Sequence, residues 1–278
     1  MKASVARTDI SRGTGSGAGK KVRQDVKENH WVPIVVGGCA VLLGVVVWHL
    51  LSQTTSPLFL PSPLQTWKAA IELWDDGVMW ASIAASSARI LVGWSLGLLL
   101  GIPLGILMGH FRIVRLAFDP YIEFFRFIPP IAFVTLAVIW LGPGEMSKVA
   151  LIFYTTVFIV TLNTLAGVLA VNPLRLRAAE ALGAGSAQVL RTVVVPSTVP
   201  YMVTGARLAM GNSFLTIVSA EIVAAQVGLG ALIWTSRNYG RTDWVFVGII
   251  VLGILGFVFD KVLRVIVKKL LKRYGAVV

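Results

Sequence analysis

Charge is scarce in this chain. Only 14% of its 278 residues are Asp, Glu, Lys or Arg, and just 13 of them are acidic. There is one cysteine, Cys39, so no disulfide can close within the chain. One cysteine and three scattered histidines also leave no His/Cys set at metal-ligand spacing, and no metal site is expected. What fills the remaining space is apolar: 56% of the residues are hydrophobic, above the usual share for soluble domains.

Several apolar runs reach the roughly 20 residues that a helix needs to cross a bilayer. Six are read from hydropathy, at about Val32–Leu51, Ala88–Met108, Phe118–Leu141, Val149–Val171, Tyr201–Ala220 and Trp244–Phe259. Lengths near 20 decide for helix over strand. The fold class is therefore all-α, an integral membrane protein with six transmembrane helices. The first run follows a long polar tail and lacks a small-residue cleavage site, so it is expected to remain as a spanning helix.

Residues 1–30 are polar, basic and rich in Gly and Ser, which predicts a disordered tail, with the permeating domain over 31–278. The tail contains GTGSGAGKK, but Thr14 stands where a phosphate loop needs glycine. Lys21 stands where it needs Ser or Thr, so the linker reading holds. The net charge of +12 forms no single stripe, and nucleic acid is not an expected partner. The basic residues fall between the apolar runs instead. With the N-terminus inside, 18 of 25 Lys and Arg lie on the cytoplasmic side and four (Lys68, Lys148, Arg237, Arg241) opposite. Arg89, Arg126 and Arg207 lie too near segment ends or interiors to count. Both termini are thus expected in the cytoplasm of a multi-pass protein surrounded by membrane lipid.

Two further segments, LQTWKAAIELWDDG and VGLGALIWTSRNYGRTDW, have the pattern of surface or interfacial helices, the second with a glycine-containing bend.

Three patterns invite function. Glycine recurs every fourth residue at Gly93, Gly97, Gly101, Gly105 and Gly109, a smooth stripe that lets helices approach closely, either for sliding or for static packing. Pro103 within it is expected to kink the helix. FRFIPPIAF places Arg126, Pro129 and Pro130 in the third run. Adjacent prolines remove backbone donors, which membrane proteins tolerate where backbone lines protein or a cavity. We place these prolines in the cytoplasmic half and read a gate, a hinge or a plain kink. Asn163, Arg207, Asn212, Ser213 and Thr216 lie within apolar runs, and Glu221 closes the fifth. All are candidates for lining a pathway. Arg207 can equally snorkel, and Glu221 is expected as an interfacial charge.

The most specific segment is RAAEALGAGSAQVLRTVVVPSTVP, Arg177 to Pro200. It resembles the cytoplasmic coupling loop of bacterial ABC-importer permeases: EAA, three residues, Gly, nine residues, then a hydrophobic stretch closed by Leu-Pro. Ala178, Ala179, Gly183, Val193 and Pro196 stand at the matching offsets. Arg177 replaces the leading glutamate, and the first acid is Glu180. Pro173 suits a first helical turn, Gly183 and Gly185 bracket Ala184 at a bend, Ser186 follows, and Pro196 and Pro200 are expected to restart the chain into the membrane. FLPSP (59–63), GIPLGILMG (101–109), DPYIEFFRFIPPIA (119–132), LGPGEMSK (141–148) and SAEIVAAQVGLG (219–230) extend the resemblance to the nitrate, sulfonate and taurine branch of that family.

The resemblance implies a type I importer fold and a coupling loop over about 172–198 that docks on separate ABC ATPase subunits. It also implies a second permease copy in a homodimer, a periplasmic or lipid-anchored solute-binding protein, and location in a bacterial inner membrane. The chain itself would be no enzyme and hold no cofactor, with ATP and Mg on the ATPase. Sulfonate, taurine or nitrate is the implied class of solute. A secondary transporter or channel without an ATPase is the alternative. It would need intramembrane ionisable groups, and here Arg207 is the main candidate.

Overall fold

The computed structural model describes residues 31–270, so the N-terminal tail and the last part of the basic C-terminus (Lys272, Arg273) lie outside the described residues. The chain divides into two units, Met1–Val45 and Val46–Val278. Of the first, the described part is the start of α1 (Trp31–Gln53), an apolar helix with Cys39 exposed.

The second unit holds the remaining helices: α2 (Pro63–Asp75), α3 (Val78–His110), α4 (Arg112–Phe125), α5 (Pro130–Leu141), α6 (Glu145–Leu169), α7 (Pro173–Ala181), α8 (Ser186–Val189), α9 (Val195–Ala224), α10 (Leu229–Asn238) and α11 (Thr242–Leu270). All described regular structure is helical. Among the described residues four helices are long and apolar enough to cross a membrane, or up to six if each of two bent pairs counts as one span. The bent pairs are α4 with α5 (102°) and the Ser186–Ala224 helix with α10 (52°).

Local chemistry explains the boundaries. Ser62 caps α2, accepting from the Gln65 N–H, while the Gln65 side chain accepts from the Ser62 N–H, a closed capping box with Pro63 at the first helical position. Gly77, at φ +73°, makes the reversal into α3. The two surface segments expected from the sequence are α2 and α10.

α3 differs from expectation at both ends of its reading. It begins at Val78, ten residues before the apolar run, because Ser82 and Ser86 lower the hydropathy yet are buried against neighbouring helices. It also runs unbroken through Pro103, whose ring faces outward where no packing partner is disturbed. Along its length α3 lies parallel to α6. A Cβ on Gly93 would stand 2.7 Å from the Cβ of Ile152, and one on Gly105 2.6 Å from that of Thr164. Gly97, Gly101 and Gly109 meet Thr156, Val160 and Val168 in the same register. The two backbones approach because the α3 side of the contact has no side chains.

α9 packs on the other side of α6. Gly205 receives Asn163, and hydroxyl pairs Thr155–Thr216 and Thr156–Ser213, each 3.4 Å apart, bridge the two helices. Phe214, Met210 and Ile217 meet Ile90 and Ile152 in a buried cluster that joins α3, α6 and α9.

Candidate functional site

The loop at 172–198 is a folded unit. Asn172 accepts from the Leu174 N–H at 2.9 Å, and Pro173 occupies the first position of α7. The helix stops where Gly183 takes φ +82°. The Ala184 N–H then bonds the Ala179 carbonyl (3.1 Å) and the Gly183 N–H that of Glu180 (2.9 Å), the paired bonds of a Schellman turn. Only Gly183 needs the left-handed backbone; Gly185, at φ −71°, is an ordinary cap to α8. Ala179 and Ala184 pack inward with Leu176 against Val168, Val171, Val189 and Val194. Arg177, Ala178, Glu180 and Ser186 point outward, flanked by Leu174 (69% exposed) and Leu182 (89% exposed).

The prolines behind the loop do not restart the chain. From Ser186 the helix runs into α9 through one π-type turn, Leu190–Val194, in which the Val195 N–H reaches back to Leu190. Pro196 has no N–H to give the regular bond, which accounts for the widened turn just before it. Pro200 is carried inside α9. The loop is thereby continuous with a long membrane helix.

The third apolar run is two helices rather than one. α4 ends at Phe125 and α5 starts at Pro130, with Pro129 extended between them. The hydroxyl of Tyr154 donates to the Phe125 carbonyl at 2.5 Å and covers that of Ile128 at 3.4 Å, satisfying backbone groups that the break exposes. Tyr154 lies three residues from the centre of α6, so the break sits level with the middle of that helix. Beside it is a cavity of about 340 Å³ lined by Arg126, Pro129, Pro130, Tyr154 and Asn212 among others. No carboxylate lines it; Glu123 reaches Arg126 from one turn away at 3.3 Å.

The other polar candidates lie elsewhere. Asn163 donates to the Ile159 carbonyl at 2.8 Å, Ser213 to Ala209 at 2.8 Å and Thr216 to Asn212 at 3.0 Å, all in the α6–α9 contact. Arg207 does not line that cavity. It pairs with Asp260 of α11 at 3.2 Å, because α11 continues a full three turns past the apolar run.

Glu221 is not an interfacial charge: it is fully buried, since α9 continues past it to Ala224. Arg89 donates to it at 2.6 Å, Ser86 at 2.8 Å and the Gly230 N–H at 2.8 Å. Arg89 also forks onto both oxygens of Glu145 and donates to the Val227 carbonyl at 2.7 Å. Lys148 adds 3.1 Å to Glu145, so two cations meet two carboxylates. This network ties α3, α6, α9 and the start of α10 together. Sequence reasoning missed it, although an arginine within an apolar helix, one turn from Ser86, was a usable signal. Among the described residues no group of His, Cys, Asp and Glu could hold a metal.

Residues 101–273 match the family described as binding-protein-dependent transport system inner membrane component. The chain is 39% identical over 253 residues to the taurine transport system permease protein TauC of Escherichia coli (strain K12), covering 88% of this chain and 91% of that protein. It is 32% identical over 231 residues to the nitrate import permease protein NrtB of Synechocystis sp., covering 80% and 84%. Among solved structures, an amino acid ABC transporter with histidines superposes with a TM-score of 0.59 at 19% identity, covering 72% of this chain and 97% of that one.

Proposed function

Because the chain belongs to the family of binding-protein-dependent inner membrane components and is a permease subunit of an ABC importer, we propose that it carries a small sulfonate-like or nitrate-like anion through a homodimer. It is a transport component and not itself an enzyme, and works with an ATPase and a solute-binding protein. In this reading the unit at 172–198 docks on the ATPase, which holds the ATP and Mg. Both termini face the cytoplasm, consistent with 18 basic residues on that side against four.

One observation carries the mechanism: the exposed face of α7 is built on a rigid turn and is continuous, through the π-type turn, with the helix that bears Asn212. A push on Leu174, Arg177, Ala178 or Leu182 is thus delivered to the wall of the cavity at the α4–α5 break. ATP binding biases that helix toward one access state, to the extent that the ATPase contacts the loop differently in its two states. At the cavity, Arg126 supplies positive charge among groups that include no lining carboxylate. Asn212 adds an amide, and the Pro129–Pro130 break absorbs the rearrangement. The relatives' solutes, taurine and nitrate, are small and carry an anionic oxygen group, which fits this lining.

The test is uptake by the whole importer in proteoliposomes, with labelled taurine and labelled nitrate offered separately with their binding protein. ATP-dependent accumulation of either supports the reading. Accumulation of neither, with a neutral or cationic solute taken up instead, refutes the anion class.

A further inference from the structure

From the groove between α2 and α11, we infer a site for one acyl chain of a membrane phospholipid; the inference rests on the chain crossing a membrane and not on the transport reading. The groove encloses about 470 Å³, within the usual range of small-molecule sites. Trp67, Ile71 and Trp74 of α2 form one wall, Ile250 and Ile254 of α11 the other, and Trp48 closes an end. Its few polar side chains turn away: Thr66 donates its hydroxyl to the Ser62 carbonyl at 3.1 Å, and the Trp48 indole N–H to Pro61 at 3.0 Å. The remaining interior offers a ligand no hydrogen bond, which suits hydrocarbon and little else.

Depth points to lipid as well. Six tryptophans (Trp48, Trp67, Trp74, Trp80, Trp234, Trp244) gather at this end of the molecule, on α1, α2, α10 and the first turns of α3 and α11. Tryptophans in such a belt mark the membrane–water interface. Ile250 and Ile254 lie about 9 and 15 Å beyond Trp244 along α11, at 1.5 Å per residue. The slot therefore starts at the interface and descends through much of one leaflet. A helix of a second copy, about 10 Å across, could place only side chains in the slot, whereas an acyl chain enters it along its length.

The floor is held independently of any occupant. Ala69 and Leu73 on the opposite face of α2 are buried against Val247, Leu232 and Met79. Arg241 joins α2 to α11 through Glu72 at 2.6 Å. A preformed slot loses little ordering entropy on binding, which favours retention of a lipid through purification.

The importer complex is reconstituted in vesicles of phosphatidylglycerol and phosphatidylethanolamine, re-extracted in mild detergent, and its retained lipid counted by native mass spectrometry. The expected result is one phospholipid held per permease chain. Ala70→Phe, which fills the floor, lowers that retention at least ten-fold, while Leu99→Phe on the exposed side of α3 leaves it unchanged. Ile254→Trp, at an exposed wall position, serves the same purpose should Ala70→Phe not assemble. No retained lipid in the unaltered complex, or equal retention in the filled variants, overturns the inference. So does efficient disulfide crosslinking between two copies through Trp67→Cys in a Cys39→Ser background, since it would seat the second copy there.

Discussion

The Arg89 guanidinium lies 2.6 Å from the carboxylate of Glu221, a side chain with 0% exposure, across 132 residues of sequence. Arg89 also bonds Glu145, whose side chain is 62% exposed, so the network is buried at one end and open at the other. Removing one partner of a buried pair leaves an uncompensated charge, and a cost of about 3–5 kcal/mol is the usual consequence. Arg89→Met is expected to lose most folded complex in thermal challenge followed by size exclusion. Pairing it with Glu221→Gln should recover much of the loss. Glu145→Gln should also destabilise, because Lys148, whose side chain is 5% exposed, loses the carboxylate it pairs with.

The α3–α6 register gives a second expectation. Gly105→Val must displace Thr164 and the Thr161 carbonyl, both within 3.0 Å of the added Cβ. It should block assembly or lower the midpoint of thermal unfolding by several degrees. Gly253→Ala, which meets nothing within 4 Å, should be neutral or slightly stabilising. Equal effects at the two positions would show that the stripe is not the packing seam.

Legibility in the sequence differs between these two features for a physical reason. The stripe of glycines was visible because helical spacing is local, and α2 and α10 because amphipathic patterns are local. The turn at Gly183 was visible because its spacing sits within a dozen residues. The Arg89 network was not, since its members come from four segments and each looks unremarkable alone. Hydropathy placed Arg89 at a helix end only because Ser82 and Ser86 resemble interface residues until their buried partners are known. The bend at Pro129 was signalled as a break, but the Tyr154 hydroxyl that satisfies its carbonyls comes from α6, and nothing near the break in sequence reveals it. Arg207 and Asp260 were similarly opaque: the charge that ends an apolar run need not end the helix.

The Arg241–Glu72 pair predicts acid sensitivity. Hydrogen bonds from Arg241, then from Trp244, hold the Glu72 carboxyl below its usual range. Arg241, beside Asp243 and Glu72, is pushed further up and stays charged. A lowered folded-state value means the contact stabilises above the ordinary carboxylate range, near pH 4, and is lost as pH falls through the depressed value. Unfolding midpoints measured from pH 7 to pH 3 should fall more steeply for the unaltered chain than for Glu72→Gln. Parallel curves would contradict the assignment.

Within the folded unit at 172–198, inward and outward alanines should behave differently. Ala179 packs against the Val168–Val194 cluster, so Ala179→Asp buries a charge and should reduce the amount of folded protein. Gly183→Asp forces a side chain onto a φ of +82° and should likewise act through folding, costing about 1–3 kcal/mol. Ala178→Asp, on the exposed face, should leave insertion and thermal stability unchanged. Circular dichroism melts of the three purified variants make the comparison.

The most direct test of the docking role takes Ala178→Asp forward. ATP hydrolysis and solute uptake are measured together in proteoliposomes that hold the complete importer. A docking face on α7 predicts normal membrane insertion with uptake reduced at least ten-fold, and with ATP hydrolysis no longer responsive to the loaded binding protein. Uptake and stimulated hydrolysis at the level of the unaltered chain would contradict the role assigned to the exposed face of α7.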